Sequence, residues 1–376
     1  MLNQDLYKAK VAFFMPNFEV GGIEVSFKQL CNNLISRVEK VDLVYCKNTG
    51  PLRKDFHNNV NLVSLEAIRI IPVIWAIKKY FDKHQPDVFI TSMYMLGNAS
   101  IIARFLSKSN PKIIIGARSS FSKIVENEAG IFQGKILKLL SRILFPLADQ
   151  IISVSQGVEA DLCKNLQINS NLIKTIYNPV LDSRHNKDHL PTPEHEWFTN
   201  ANRDYKILIC IGRLSNEKGF AEVISVISEI HNKCNLRLII IGEGKLKMKL
   251  DQQITRLNLS KKIQIINFQQ NYLSYLAHSD IFILNSQFEG LPAVLIEAMA
   301  FKLKIVSSDC DFGPREILEN GKYGILFPTG DLNALKKGIL KSIKNEERIV
   351  YNLENSPFSA NISSELYLKE IKYLLG

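Results

Sequence analysis

Phe288-Glu289-Gly290-Leu291-Pro292-Ala293-Val294-Leu295-Ile296-Glu297-Ala298-Met299 carries two carboxylates eight positions apart, with a glycine and a proline just after the first. Upstream lies Asp280-Ile281-Phe282-Ile283-Leu284, an apolar run of the kind that forms a strand buried on both faces of a parallel sheet. Pro292 suits the first turn of a helix, where its missing N–H costs nothing. The stretch therefore reads as strand, loop, helix. Glu289 falls in the loop at the carboxyl end of the strand, and Glu297 about two turns into the helix. In an open α/β sheet that edge is where ligands bind. A plainer reading is an acid favoured by the helix dipole plus an exposed Glu.

The same alternation extends in both directions. Lys206–Ile211, Leu236–Ile241, Lys262–Ile266 and Lys304–Ser308 are further apolar runs, with a helical stretch over Phe220–Ile230. In the first half, Lys10–Met15, Val41–Tyr45, Asp87–Thr91, Lys112–Gly116 and Ala148–Ser155 read as strands. A helix with apolar spacing at Ile23, Phe27, Leu30 and Leu34 follows Gly21-Gly22, and another spans Ile68–Phe81. Strands alternating with helices predict parallel sheets covered on both faces. The rhythm breaks over Asp182–Asp204, with Pro191, Pro193 and many charges, which reads as a linker or surface excursion. The expected division is 1–180 as a first Rossmann-like domain, 181–205 as linker, 206–355 as a second such domain, and 356–376 as a terminal helix.

At 376 residues the chain can hold two domains, each with its own core. A composition of 46% hydrophobic and 22% charged residues is that of a globular protein. No run of ~18 apolar residues predicts a transmembrane helix. Met1–Lys8 lacks a charged-then-apolar leader pattern, so a cytoplasmic location is expected. The six cysteines form no C-x-x-C pair and read as reduced thiols. Residues 1–180 hold 22 Lys+Arg against 14 Asp+Glu, and the remainder 25 against 23, so the net charge of +10 sits mostly in the first half. That half is suited to an anionic partner. Nucleic acid is not expected, because no recognition motif or basic–aromatic stripe is present. An anionic membrane surface or a phosphate-bearing acceptor fits better. Lys135–Phe145 is basic and amphipathic, and is either a membrane-surface helix or a packing helix with solvated lysines.

Gly212-Arg213-Leu214-Ser215-Asn216-Glu217-Lys218-Gly219 follows a strand and precedes a helix. Gly212 permits close backbone approach. Arg213 offers a planar fork to phosphate oxygens, and Lys218 adds a point charge near a helix start, where anions are already favoured. Ile241-Gly242-Glu243-Gly244 is a glycine turn at a strand end, and Phe268-Gln269-Gln270-Asn271 follows the next strand. Asp309-Cys310-Asp311 is formally a D-x-D, but it runs into Phe312-Gly313-Pro314-Arg315-Glu316-Ile317-Leu318 and reads as an acidic turn capping a helix.

Taken together, these elements resemble retaining glycosyltransferases of family 4, which have the GT-B fold of two tandem Rossmann-like domains facing a cleft. The resemblance is specific over Ile207–Thr329 and extends loosely over residues 10–340. It implies that Arg213 and Lys218 grip the donor diphosphate, that Glu289 contacts the donor sugar, and that Glu297 accepts the ribose hydroxyls. It places Gly212, Gly242, Gly244, Asn271 and the backbone of Gly290, Leu291 and Pro292 around the donor, although Pro292 has no N–H to offer. In the first half, Gly21-Gly22-Ile23-Glu24 is similar to the G-G-x-E opening that faces donor phosphates. Ala148–Ser155 with Gly157, and Tyr177–Val180, also match family segments. The resemblance further implies that the first domain is the acceptor side, that the second binds the donor, and that the terminal helix over 356–376 crosses back onto the first domain. Many relatives place a His near the sugar from this domain. Here the region reads Gly116-Ala117-Arg118-Ser119-Ser120, which makes Arg118 the candidate contact.

The implied activity is transfer of a hexose or N-acetylhexosamine from a nucleotide-diphosphate sugar, UDP-linked by expectation. The implied acceptor is a hydroxyl of a lipid-linked oligosaccharide, lipopolysaccharide or capsule glycan. No metal cofactor is expected. The enzyme would act in the cytoplasm, at the inner face of the membrane if the basic helix binds lipid. A sugar-nucleotide epimerase and a catalytically silent nucleotide-sugar-binding module are the rival readings.

Overall fold

A computed structural model describes residues 7–19, 21–127, 131–200, 202–269, 271–345, 351–352 and 355–376. The chain divides into two compact units, one of residues 1–180 with 355–376 and one of residues 181–354.

The first unit is built on seven strands: β1 (Tyr7–Met15), β2 (Val38–Tyr45), β3 (Asn61–Ser64), β4 (Val88–Ser92), β5 (Lys112–Ala117), β6 (Gln150–Ser153) and β7 (Ile173–Thr175). They form one sheet in the order β3-β2-β1-β4-β5-β6-β7, and every pairing is parallel. The central strands are apolar on both faces because helices cover both. Phe13 packs edge-on against Phe27 of the helix Gly22–Leu34 at 5.2 Å, and Phe14 lies against Phe89 at 5.6 Å. The helix Ala360–Leu375 belongs to this unit. Its Tyr367 and Ile371 share a core with Phe27, Leu30 and Leu34, and Ser363 donates to the Tyr177 carbonyl at 2.9 Å.

The second unit carries β8 (Lys206–Ile211), β9 (Leu236–Ile241), β10 (Ile263–Ile266), β11 (Ile281–Leu284), β12 (Lys304–Ser308) and β13 (Ile325–Phe327). Their order is β10-β9-β8-β11-β12-β13, again all parallel. Leu208, Cys210, Leu238 and Ile240 meet Val223 and Ile227 of the helix Phe220–Ile230, and Leu335 and Ile339 of the helix Leu332–Lys344.

In each sheet the chain runs outward from the first strand to one edge, returns, and fills the other side. The order therefore reverses between β1 and β4, and between β8 and β11. Such reversals open a crevice at the carboxyl ends of the two diverging strands. The six cysteines are all free, with Cys31, Cys210 and Cys310 buried.

The segment read as a linker belongs to the second unit. Trp197 and Phe198 of the helix Glu196–Thr199 are buried, Phe198 against Tyr275 at 5.5 Å. Tyr205 donates to the Trp197 carbonyl at 3.2 Å, and the His195 ring bonds Gln264 at 2.7 Å. Two buried aromatic side chains give this proline- and histidine-rich stretch a fixed seat that its polarity conceals.

Candidate active site

The loops after β8, β11 and β12 meet at the switch point of the second sheet. Gln287 N–H donates to the Glu217 carbonyl at 2.8 Å, joining the β11 loop to the β8 loop. Glu289 N–H donates to the Asp311 carbonyl at 3.3 Å, joining it to the β12 loop. Gly313 takes φ +92°, and a Cβ there would stand 2.6 Å from Pro292 Cδ and 3.0 Å from the Gly290 carbonyl oxygen. Only glycine fits both that backbone and that approach. The Glu289–Pro292 loop is thus held on both flanks by its neighbours in the sheet order.

This clamping brings two of the sequence candidates together. Lys218 Nζ lies 2.6 Å from Glu289 Oε1, and Ser286 Oγ donates to the same oxygen at 2.5 Å. The aliphatic part of Lys218 passes over Gly212, whose Cα would carry a Cβ 3.7 Å from Lys218 Cδ. Arg213, on the same loop, is exposed. An ammonium has three donors and Glu289 takes one, so Lys218 can hold the carboxylate and an anion at once. The helix Ala293–Ala300 begins right after the loop with Pro292 as its N-cap, so the proline precedes the helix by one residue. Gly290 is half-buried and Leu291 packs its side chain inward, leaving their backbone as the polar surface.

Glu297 is the fifth residue of that helix, a little over one turn in, and is 5% exposed. It does not stand on an open face. Tyr272 donates to Glu297 Oε1 at 2.8 Å, and His185 Nε2 lies 3.5 Å from the same oxygen. Glu297 Oε2 is buried with no partner among the described residues. Burial works against a charge on His185, but its bonds to Asp182 and Glu297 outweigh that and push its pKa up to about 9. A group raised in this way stabilises the fold fully below its ordinary value of 6.5, and the contribution fades as pH rises through about 9. Burial beside Glu297 likewise pushes the Tyr272 hydroxyl well above its usual range.

Sequence reasoning named Asn271 near this point, but Asn271 is exposed, and it is the adjacent Tyr272 that reaches Glu297. Gln270 lies outside the described residues. His185 and Asp182 were hidden in the segment read as a linker. An Asp three residues before a His, both inside a capping box, was the one available signal.

Gly242 and Gly244 have a backbone reason. A Cβ on Gly242 would collide with the Gly212 carbonyl oxygen, and one on Gly244 with the Leu214 carbonyl oxygen. They seat the β9 turn against the β8 loop, where Leu214 N–H donates to the Glu243 carbonyl at 2.8 Å. Gly242→Ala should destabilise the protein by about 3 kcal/mol, because the collision is with backbone that cannot step aside. Denaturant unfolding of the variant measures this, and an unchanged midpoint would refute it.

In the D-x-D triplet the carboxylate of Asp309 is committed elsewhere. Arg315 pairs with Asp309 through Nε at 3.0 Å and also through Nη2. Among the described residues no group of three or more His, Cys, Asp or Glu could hold a metal ion. A cavity of about 530 Å³ bordered by Arg203, His278 and Asp280 lies at the opposite, amino-terminal edge of this sheet, and its Arg203 is satisfied by Asp280 at 2.7 Å.

In the first unit, Gly21 and Gly22 sit at the carboxyl end of β1, at that sheet's own switch point. Gly21 is the N-cap of the helix Gly22–Leu34, and the space beside Gly22 is open. The reading of Arg118 as a sugar contact finds no support in the geometry. Arg118 is 8% exposed, and its guanidinium bonds Ser26 at 3.0 Å, Tyr367 at 2.9 Å and Asn178, stacked over the Phe27 ring at 5.1 Å. It ties β5 to the terminal helix from inside the core.

Comparison with known proteins bears directly on this arrangement. The family described as glycosyl transferases group 1 matches residues 191–355, and glycosyltransferase family 4 matches residues 20–184. An uncharacterised glycosyltransferase of Methanocaldococcus jannaschii is 31% identical over 312 residues, covering 77% of this chain and 72% of the relative. The N-acetylgalactosamine-N,N'-diacetylbacillosaminyl-diphospho-undecaprenol 4-alpha-N-acetylgalactosaminyltransferase of Campylobacter jejuni is 29% identical over 247 residues, covering 65% of each protein. Among solved structures, HepE of Anabaena in complex with UDP superposes with a TM-score of 0.72 over 97% of each chain at 18% identity. With two parallel Rossmann-like units and both halves matched, the chain belongs to the group 1 and family 4 glycosyltransferases of GT-B fold.

Proposed function

We propose that this enzyme transfers a hexose or N-acetylhexosamine from a UDP-sugar to a hydroxyl of a lipid-linked or surface glycan, with retention of anomeric configuration. The observation that carries the reading is the meeting of Lys218 and Glu289 at the switch point of the second sheet, 2.6 Å apart, beside exposed Arg213 and a helix start. Cations aimed at a leaving diphosphate stabilise the charge that develops as the glycosidic bond breaks, and such preorganised charge is commonly the main source of rate acceleration. In this reading Glu289 takes a sugar hydroxyl and Glu297 takes the ribose. Retention follows if the acceptor attacks from the face the diphosphate leaves. Lys218 and Arg213 supply the positive charge, so no metal is required. The bound UDP of HepE and the undecaprenol-linked acceptor in the name of the Campylobacter relative agree with this donor and acceptor class.

A thermal-shift panel of UDP, GDP, ADP and their sugar conjugates, with and without EDTA, tests the donor reading. A ligand that binds only the folded state raises its stability. Selective stabilisation by UDP and its conjugates, unaffected by EDTA, is expected. Stabilisation by another nucleotide, or only with metal present, would overturn it.

The proposed acceptor side includes an anionic membrane. Among the described residues no helix is long and apolar enough to cross one. The helix Ile131–Leu144 has two apolar faces instead. Its inner face is seated on the helix Tyr94–Leu106, where Asn98 bonds Ser141 at 3.0 Å and Tyr94 stacks on Phe145 at 5.8 Å. At about 100° per residue, Phe132, Ile136, Leu139, Leu140 and Ile143 fall on the opposite side, and Phe132, Leu139 and Ile143 are 76%, 61% and 57% exposed. Lys135, Lys138 and Arg142 line one flank, and the helix contains no acid. An outer apolar face with a cationic edge suits an anionic lipid surface. Phe132→Ser with Leu139→Ser should abolish sedimentation with phosphatidylglycerol vesicles and leave catalysis on a soluble acceptor intact. Equal sedimentation of variant and parent would contradict this role.

A further inference from the structure

The cluster around Glu297 contains more than the ribose reading uses. Asp182, Arg184 and His185 come from the turn that opens the second unit, Tyr272 from the helix Tyr272–Ala277, and Glu297 and Phe301 from the Ala293–Ala300 helix and the residue after it. His185 is 5% exposed, and its ring lies nearly parallel to Phe301 at 5.9 Å. Its Nδ1 lies 3.1 Å from the Asp182 amide nitrogen and 3.3 Å from both the Asp182 carbonyl oxygen and Oδ1, so the neutral ring accepts from the amide and the charged ring donates to those oxygens. Arg184 Nε bonds both oxygens of Asp182, at 3.0 and 2.9 Å, which fixes that carboxylate. Nε2 lies 3.5 Å from Glu297 Oε1, within ion-pair range of a charged ring but without a formed hydrogen bond.

Two consequences follow from elementary chemistry. With Nδ1 tied to Asp182, the ring proton that faces Glu297 is on Nε2 in the neutral and the charged imidazole alike. And an ionised carboxylate as buried as Glu297 is costly unless a countercharge is close. His185 is the one cation within 4 Å of Glu297 among the described residues. Tyr272 donates to Oε1 and His185 Nε2 stands 3.5 Å from it, while Oε2 is buried and unbonded.

We infer that His185 is a positioning residue for Glu297. Its imidazolium, held by Asp182 and Phe301, keeps the Glu297 carboxylate ionised and fixes its orientation for the ribose hydroxyls of the donor nucleotide. The inference rests on the ribose reading of Glu297 given above. It assigns a function to His185, which lies between the two family matches at 20–184 and 191–355. His185 touches no substrate and acts only through the carboxylate. The groups facing it are Asp182, Glu297 and the Phe301 ring, with Arg184 and Tyr272 one step further out. The shift of its pKa to about 9 agrees with a charged His185 at neutral pH.

The test is the ratio of affinities for UDP and 2′,3′-dideoxy-UDP, measured by titration calorimetry. The two ligands share base and diphosphate, so the ratio cancels the base's own titration and any change at Lys218. The parent enzyme should prefer UDP by roughly 10-fold or more, as expected of hydrogen bonds to a charged group. His185→Gln and Glu297→Gln should each reduce the preference to near unity, and the double variant should lose nothing further. In the unmutated enzyme the preference should decline as pH rises through about 9, which tests the idea without any variant. Full discrimination in His185→Gln, with loss in Glu297→Gln, would overturn the role of His185 alone. A preference that stays flat across pH 7–10 would do the same. Full discrimination in Glu297→Gln would overturn the ribose reading and this inference with it.

Discussion

Lys218→Ala is expected to lower kcat by about 100- to 1,000-fold, the range for removing one preorganised charge from a developing oxyanion. Lys218 is placed by three things: the glycine at 212 beneath its stem, the ion pair with Glu289 at 2.6 Å, and the clamp of the β11 loop onto Glu217. Its ammonium is therefore oriented before substrate arrives, so little reorganisation is left for the reaction itself. The variant also leaves the largely buried Glu289 carboxylate with Ser286 as its remaining side-chain donor, which should cost about 3 kcal/mol of stability. Lys218→Ala combined with Glu289→Ala should recover much of that stability while remaining inactive. Single-turnover kinetics and denaturant unfolding of both variants separate the two effects. Turnover near that of the parent would remove Lys218 from the mechanism.

Glu289→Gln should reduce kcat by about 100-fold with little change in UDP affinity. The substitution keeps shape and preserves an oxygen for Ser286 and Lys218, which both address Oε1. What it removes is the charge that orders Lys218 and the second oxygen, which in the proposed mode faces the sugar. Lys218→Ala, in contrast, should weaken UDP as well, because the proposed mode sets the ammonium against the diphosphate that UDP retains. The pair of variants therefore distinguishes a sugar contact from a phosphate contact. Loss of UDP affinity in Glu289→Gln, with kcat preserved, would reverse the assignment.

The interior of the fold is readable in the chain, and three short strands at its margins are not. Central strands such as Leu236–Ile241 and Ile281–Leu284 are uninterrupted apolar runs because helices bury both of their faces. The edge strands Asn61–Ser64, Ile173–Thr175 and Ile325–Phe327 escape notice. They are three or four residues long, lie at the sheet margins, and offer too few residues to establish a run or an alternation. Boundaries elsewhere moved by a few residues, as in Ile70–His84, where Pro72 sits harmlessly in the first turn.

The site divides along the same line. Lys218 and Glu289 are legible because each lies in a short loop directly after a strand, and sheet order makes those loops neighbours. Arg118 also follows a strand, but no local pattern reveals that Ser26, Asn178 and Tyr367 close around it from distant parts of the chain. His185 is separated from Glu297 by 112 positions and stands among prolines and charges that read as linker. Burial of Trp197 and Phe198 further along shows that this segment packs into the second unit. The glycines at 242 and 244 are visible as a turn, whereas their collision with the β8 loop is a tertiary fact.

The central claim is that Arg213 and Lys218 hold the diphosphate of the donor. Calorimetric titration of uridine, UMP and UDP into the parent enzyme and into the Arg213→Ala, Lys218→Ala double variant tests it most directly. The parent should bind UDP at least 10-fold more tightly than UMP, and the double variant should bind the two alike while keeping its affinity for uridine. An undiminished gain from UMP to UDP in the double variant would contradict the account.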